Sequence, residues 1–209
     1  VGALCKKYDK WFYVDSVSAA GGENIDVVEN NITATSSVGG KCVGAFPGSA
    51  YICVKEDVLR QIPPEQGKNV YLNLGKHYKN AKAHSQTPNT PNVQLFWALQ
   101  QALANIEEEG LQNRIARYQK CAGILRDGLR TLGLKLLLED KYMSNTVTSV
   151  FLPEGRELAA FIAKLDEKGY TVYKGKGKYE GMGMFQVANM GEIYPEDCEE
   201  FLKVLATCL

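Results

Sequence analysis

The stretch WFYVDSVSAAGG, residues 11–22, and the stretch NITATSSVGGKCVGAFPGSAYICV, residues 31–54, alternate short apolar runs with loops of small residues. Apolar runs of roughly four to eight residues bounded by Gly, Ser and Ala read as strands, because they end before a helical period can repeat. Three strands are expected: a buried one from Trp11 to Asp15, a second from Ile32 to Ser36 and a third from Ser49 to Val54. Short loops and helices between such strands point to part of an α/β sheet. Upstream, VGALCKKYDKW reads as the last turns of an amphipathic helix with no initiating methionine, so the chain is expected to begin inside a domain.

Working outward, apolar content falls between Pro63 and Pro91, and TPNTPN at 87–92 is turn-rich, so this region reads as a long functional or interface loop. From Val93 a helical period takes over. Phe96, Leu99, Leu103 and Ile106 form one stripe; after Gly110, a second is formed by Leu111, Ile115, Tyr118, Leu125, Leu129 and Leu132, and Gly133 stops it. A strand at 146–152, a helix with Leu158, Phe161, Ile162 and Leu165, strands at 170–173 and 184–188 and a helix opening at Pro195 complete a small α+β unit. The expected division is 1–115 for the α/β part and 116–209 for the α+β part.

Composition narrows the function by exclusion. Lys+Arg and Asp+Glu balance at 24 each, so no net field argues for nucleic acid or an anionic membrane, and any anion site is local. Cys5, Cys42, Cys53, Cys121, Cys198 and Cys208 form no CxxC and no close pairing with His77 or His84; zinc is unsupported, and reduced thiols of a cytoplasmic protein are the plainer reading. No apolar run approaches the roughly 20 residues of a membrane span.

Two residues carry candidate chemistry. Asp15 closes an apolar strand, where a carboxylate needs a cation or a donor. It is either a loop cap, or paired with a lysine, or the partner of a protonated pyridine nitrogen in pyridoxal phosphate, which turns that ring into an electron sink. Lys41 follows Gly39-Gly40 and precedes CVGAFPG, where small residues let a bulky ligand approach the backbone. It is either a solvated turn lysine or, in a partly desolvated site, an amine able to form a Schiff base.

The ordered set VDSVSAAGG, SSVGGKCVGAFPG with its lysine 26 positions after the aspartate, TPNTPNVQLFWALQQAL, EGLQNRIARY and FQVANMGEIY resembles the class V, fold-type I aminotransferases that act on 2-aminoethylphosphonate. Alanine:glyoxylate aminotransferases have similar spacing. The resemblance covers essentially the whole chain. It implies the second half of that fold's large cofactor-binding domain plus its small C-terminal α+β domain, and a further N-terminal stretch holding the glycine-rich phosphate turn and the ring-stacking aromatic residue. On this expectation the 209 residues alone are not a competent aminotransferase.

The resemblance also implies site residues. Lys41 is the Schiff-base lysine and moves the proton between the substrate α-carbon and the cofactor, and Asp15 partners the pyridine nitrogen. Val17 touches one ring face, and Ser36 or Ser37 ligates the phosphate. Thr90 reaches the phosphate of the neighbouring subunit's cofactor in a homodimer, or else simply caps the helix at Val93. Two positions depart from the pattern. Gln186 stands where an arginine usually grips the substrate anion, and a neutral amide is a weaker anion ligand than a charged fork. Lys174, Lys176 and Lys178 either compensate or form a solvated hairpin. Gly40 stands where relatives tend to carry a polar residue able to touch the phosphate. The implied reaction moves an amino group from 2-aminoethylphosphonate to pyruvate, in phosphonate metabolism. Alternatives are an alanine- or serine-dependent enzyme with glyoxylate or pyruvate, and a non-catalytic fragment.

Overall fold

A computed structural model describes all 209 residues, apart from the side chain of Glu180. The chain divides into two compact units: Val1–Val17, Ile25–Gly40 and Ala45–Leu103 in the first, and Ser18–Asn24, Lys41–Gly44 and Ala104–Leu209 in the second. Residue 115 lies inside a continuous helix of the second unit.

The first unit opens with α1 (Gly2–Lys7) and holds a three-stranded sheet of β1 (Tyr13–Asp15), β2 (Ala34–Val38) and β3 (Ala50–Val54). β1 runs parallel to β2, with Asp15 opposite Ser36, and β3 returns antiparallel. Ser16 prolongs the parallel ladder by donating its N–H to Ser36 O at 2.9 Å. The first strand is shorter and less buried than its apolar run implies. Phe12 and Val14 are half-buried, but Trp11, Tyr13 and Asp15 alternate onto an exposed side, with Trp11 66% exposed. The period-2 geometry of a strand puts these two sets on opposite faces, and this chain covers only one.

After β3 comes the short α2 (Glu56–Leu59), and the region expected to be a loop, Pro63 to Pro91, contains a 3-10 turn at Pro64–Gln66 and α3 (Leu74–His84). α3 escapes an apolar-periodicity reading because it buries only Gly75; its start is set by Asn73, whose side chain accepts from Lys76 N at 2.9 Å. Glu56 ties α2 to α3, accepting from Tyr78 Oη at 2.8 Å, Lys82 Nζ at 2.9 Å and Arg60 Nη2 at 3.1 Å. Lys82 first, then Tyr78 and Arg60, hold its carboxyl down at about 2. A depressed folded pKa gives stability that is present above the ordinary value of 4.5 and lost as pH falls towards 2. Hydrogen exchange should show α3 losing protection across that window, whereas in Glu56→Gln protection is lower at neutral pH and flat through the same range. Because the group is exposed, added salt should shrink the difference.

α4 (Val93–Glu109) begins at Asn92, whose side chain accepts from Leu95 N, and buries only Ala102; Trp97 is 71% exposed. The boundary between the units falls within this helix, after Leu103.

The second unit is built on a four-stranded antiparallel sheet in the order β4 (Lys135–Leu136), β5 (Val147–Phe151), β7 (Met184–Ala188), β6 (Tyr173–Lys174). Its core joins the sheet to α5 (Leu111–Thr131), α6 (Leu158–Glu167) and α7 (Pro195–Cys208). Val150, Phe185 and Val187 point into that core, where Phe161 lies 5.0 Å from Phe185. The expected helical stripe of α5 is present, with Ile115, Tyr118, Leu125 and Leu129 buried, and Gly133 ends the helix at φ +76°. Of the expected strand 170–173 only Tyr173 joins the ladder, with Lys174.

Candidate active site

In the first unit the parallel pair puts Asp15 at the carboxyl end of β1, the end at which open α/β sheets bind ligands. Asp15 is exposed, not buried. Its Oδ1 accepts from Val17 N at 3.0 Å, closing a turn that also fixes Val17, while Oδ2 takes part in no hydrogen bond among the described residues. The burial argument that demanded a partner therefore does not apply within this chain, and the cap is made with one oxygen only. Ser36 Oγ pairs with Tyr13 Oη, and buried Ser37 donates to Ser16 O at 3.3 Å, so both hydroxyls are engaged internally.

Thr90 is exposed and does not cap α4; Asn92 does. Thr90 lines a cavity of about 140 Å³ with Ser49, Asn89, His77 and Tyr71. Ser49 Oγ and Asn89 Nδ2 are buried there without a hydrogen-bond partner among the described residues. An unsatisfied buried donor is costly, so these atoms suit a ligand rich in acceptors, such as a phosphate.

The chain leaves β2 at Val38 through Gly39 and Gly40 to reach Lys41. Gly40 has no room for a side chain: a Cβ there would sit 2.9 Å from Cα of Pro47, and one at Gly39 would sit 2.5 Å from Ser49 Oγ. The missing polar contact at this position is thus a steric consequence of the AFPG turn. Gly40→Ser should destabilise the protein by about 1–3 kcal/mol, read from the urea midpoint, because Pro47 backbone rather than a flexible tip must give way.

Lys41 belongs to the second unit and is exposed. Its carbonyl accepts from Gly44 N at 2.9 Å, making a tight turn, and the next two residues are fully buried. Cys42 Sγ lies 3.2 Å from Ser18 O, and burial pushes its thiol up to about 11, so it stays neutral. Cys42 also explains part of the SAAGG loop, since a Cβ at Gly22 would lie 2.9 Å from its sulfur. The carbonyls of Cys42 and Val43 each accept from Arg114 Nη1 at 3.3 Å, and Cys42 O also accepts from Tyr118 Oη at 3.2 Å. Glu109 faces Arg114 Nε at 2.6 Å and Arg117 Nε at 2.7 Å. Arg117 in turn donates to Gly191 O and Ile193 O. Sequence reasoning placed Tyr118 only on the apolar stripe and did not single out Arg114 or Glu109. A signal was present: Arg114 stands on the apolar stripe of Tyr118, Cys121 and Leu125, where a charge is costly unless paired.

On β7, half-buried Gln186 donates to Ser149 Oγ at 3.1 Å and lies opposite Tyr173. Lys174 is paired with Phe185, so it lies on the other face of the sheet from Gln186; Lys176 is exposed at the start of the 3-10 turn Gly177–Met182, and Lys178 Nζ lies 5.0 Å from the Tyr179 ring. Among the described residues no group of three or more His, Cys, Asp or Glu could hold a metal, and no helix is long and apolar enough to cross a membrane.

The chain as a whole is similar to known proteins. The chain is 35% identical over 192 residues, 91% of its length, to an uncharacterised aminotransferase of Methanocaldococcus jannaschii, and spans 50% of that protein. It is 30% identical over 213 residues to a 2-aminoethylphosphonate–pyruvate transaminase of Salmonella paratyphi C, covering 100% of this chain and 57% of the relative. It thus spans about half the length of these relatives. Its structure superposes on the alanine–glyoxylate aminotransferase of a Nostoc species with a TM-score of 0.92 at 26% identity, covering 99% of this chain and 56% of that one. The pyridoxamine–pyruvate aminotransferase of Mesorhizobium loti gives 0.88 at 25%, over 99% and 54%. The sequence pattern of the class-V aminotransferases matches residues 1–188, through the β1 aspartate, the Lys41 turn and the β7 strand alike, and on that match, with the fold of the fold-type I aminotransferases around it, the chain belongs to the class-V aminotransferase family.

Proposed function

We propose that this chain forms part of a pyridoxal-phosphate-dependent aminotransferase that transfers the amino group of 2-aminoethylphosphonate to pyruvate, giving phosphonoacetaldehyde and alanine. The observation that carries the chemistry is the unbonded Oδ2 of Asp15 at the carboxyl end of a strand parallel to β2, whose exit leads to Lys41. The likeness to the Salmonella transaminase supports the substrate.

When bound, the cofactor supplies the electron sink that lets a proton leave the carbon bearing the amino group. Lys41 would be the residue that holds the cofactor, and its Nζ would take and return that proton. Asp15 would hold a proton on the cofactor's ring nitrogen by the attraction of its carboxylate, and Val17, fixed by the turn that Asp15 Oδ1 closes, would supply an apolar contact to the ring. Ser36 and Ser37 stand on the strand leading to the phosphate, and Thr90, with Asn89 Nδ2 and Ser49 Oγ beside it, offers donors to the phosphate of a second subunit's cofactor. The working form is a cytoplasmic homodimer taking a small amino donor and a 2-oxo acid, with 1–115 in the cofactor-binding domain and 116–209 in the small one. Gln186 and Lys176 bind the substrate anion.

Neutral Gln186 favours a second reading, transamination of alanine or serine with glyoxylate or pyruvate. Comparing kcat/KM for 2-aminoethylphosphonate with pyruvate against alanine with glyoxylate decides between them; a preference for the second pair sinks the phosphonate assignment. Absence of turnover and of a visible cofactor band would leave the non-catalytic alternative standing. Gln186→Arg should tighten phosphonate binding about tenfold or more, since a charged fork replaces an amide, read as a fall in KM with kcat little changed.

A further inference from the structure

Two side chains of EGLQNRIARY, Arg114 and Tyr118, bond the carbonyls that follow Lys41, with Glu109 and Arg117 bonded behind Arg114, and the role of Lys41 proposed above does not account for them. We infer that Arg114 and Tyr118 are positioning residues for Lys41, holding the two peptides after it so that its amine has one approach to the cofactor and substrate; this rests on the assignment of Lys41 as the Schiff-base lysine.

The guanidinium of Arg114 is 2% exposed, and Nη1 reaches two successive carbonyls, Cys42 O and Val43 O, at 3.3 Å each. One donor shared by consecutive carbonyls restricts the planes of both peptides. The single hydroxyl proton of Tyr118 faces Cys42 O at 3.2 Å and, at the longer distance of 3.4 Å, Gly191 O, so the shorter bond joins Arg114 on the Cys42 carbonyl. Tyr118 Oη accepts in turn from Gly191 N at 3.0 Å, so a chain of donors runs from the segment after β7 through Tyr118 to the residue next to Lys41. β7 carries Gln186, proposed above as an anion ligand, and the same segment is held by Arg117 through Gly191 O and Ile193 O.

A merely structural anchor does not need this arrangement. Burying a guanidinium is costly and pairing it often recovers no more than the cost, so a methionine of similar length would fill the α5 stripe as well or better. Arginine offers what methionine lacks, a rigid fork that engages Glu109 through Nε while Nη1 fixes the Lys41 turn. A lysine displaced by about 1 Å from its productive geometry forfeits on the order of a hundredfold in rate.

The test uses the holoenzyme and the variants Arg114→Met, Arg114→Lys and Tyr118→Phe. Tyr118→Phe keeps the buried ring, which stacks 4.9 Å from the Arg117 guanidinium, and removes only the hydroxyl. Three readings are taken: exchange of the Gly44 amide, which bonds to Lys41 O; the visible circular-dichroism band per bound cofactor, which reports how rigidly lysine and cofactor are oriented; and the single-turnover rate with amino donor. Tyr118→Phe should speed Gly44 exchange, weaken the dichroic band and slow the single turnover about tenfold, and Arg114→Met about a hundredfold, with cofactor content unchanged. Arg114→Lys, which keeps the charge without the fork, should recover part of the rate. If Arg114→Met fails to fold, Tyr118→Phe and Arg114→Lys still decide the matter. Faster Gly44 exchange with an unaltered band and rate in Tyr118→Phe would overturn the proposal, as would no change in any reading. Borohydride labelling of wild type separates the two levels: an adduct on another lysine removes the assignment of Lys41 itself, while an adduct on Lys41 with unaffected variants removes only the positioning role.

Discussion

In the holoenzyme, Lys41→Ala is expected to lower the rate of amino-group transfer by on the order of 10⁴-fold or more, the scale seen when a residue that both bonds the reacting group and moves its proton is removed. Borohydride reduction of wild type should fix the cofactor on Lys41, and peptide mapping locates it. In Lys41→Ala the visible band of the lysine-bound cofactor should be absent, while the second unit keeps its fold, because the Lys41 side chain is exposed and adds nothing to the core. A reduced adduct on another lysine, or near-normal turnover in the variant, contradicts the assignment.

Glu109→Ala is expected to be the most destabilising single change named here, by about 3–5 kcal/mol, because it strands buried charge rather than trimming contact. The Glu109 carboxylate takes Arg114 Nε at 2.6 Å and Arg117 Nε and Nη2 at 2.7 and 3.1 Å, and the two arginine side chains are 2% and 10% exposed. Glu192 lies 3.8 Å from Arg114 and is itself 67% exposed, so it cannot replace that pair. The carboxyl of Glu109 is held below its ordinary value, first by the hydrogen bond from Arg117 and then by Arg114, against a smaller opposing effect of burial than their sum. A depressed folded pKa means that the stabilisation is full above the ordinary 4.5 and is lost as pH falls through the folded value. Urea unfolding followed at neutral and acid pH should show wild type losing stability on acidification, and Glu109→Ala starting lower and losing less. A loss under about 1 kcal/mol at neutral pH would mean that the two guanidinium groups find water once the carboxylate is gone.

The strands at Ala50–Val54, Val147–Phe151 and Met184–Ala188 and the helices from Val93 onward could be read in the chain because each has a run long enough for its own period to show. α3 could not: with only Gly75 buried it has no apolar stripe, and its signal is a single asparagine cap. Tyr173–Lys174 is a strand only because β7 is present to pair with it. Asp15 and Lys41 could be singled out by residue type and spacing, since a carboxylate at a strand end and a lysine after paired glycines are local features.

What the sequence by itself determined was the order of those strands and helices that carry a period of their own, the family, and which residues carry charge and nucleophilicity, because these follow from neighbours within a few positions. What only the tertiary structure decided was how those residues are held. It showed that Asp15 is exposed and half engaged by Val17, that Asn92 rather than Thr90 caps α4, and that Pro47 forbids a side chain at Gly40. It also brought Arg114 and Tyr118, more than 70 positions away along the chain, onto the carbonyls beside Lys41. The physical reason is that hydrogen bonds and steric exclusion act over a few ångströms of space whatever the separation in sequence, so contacts that only folding creates leave no period or local pattern behind.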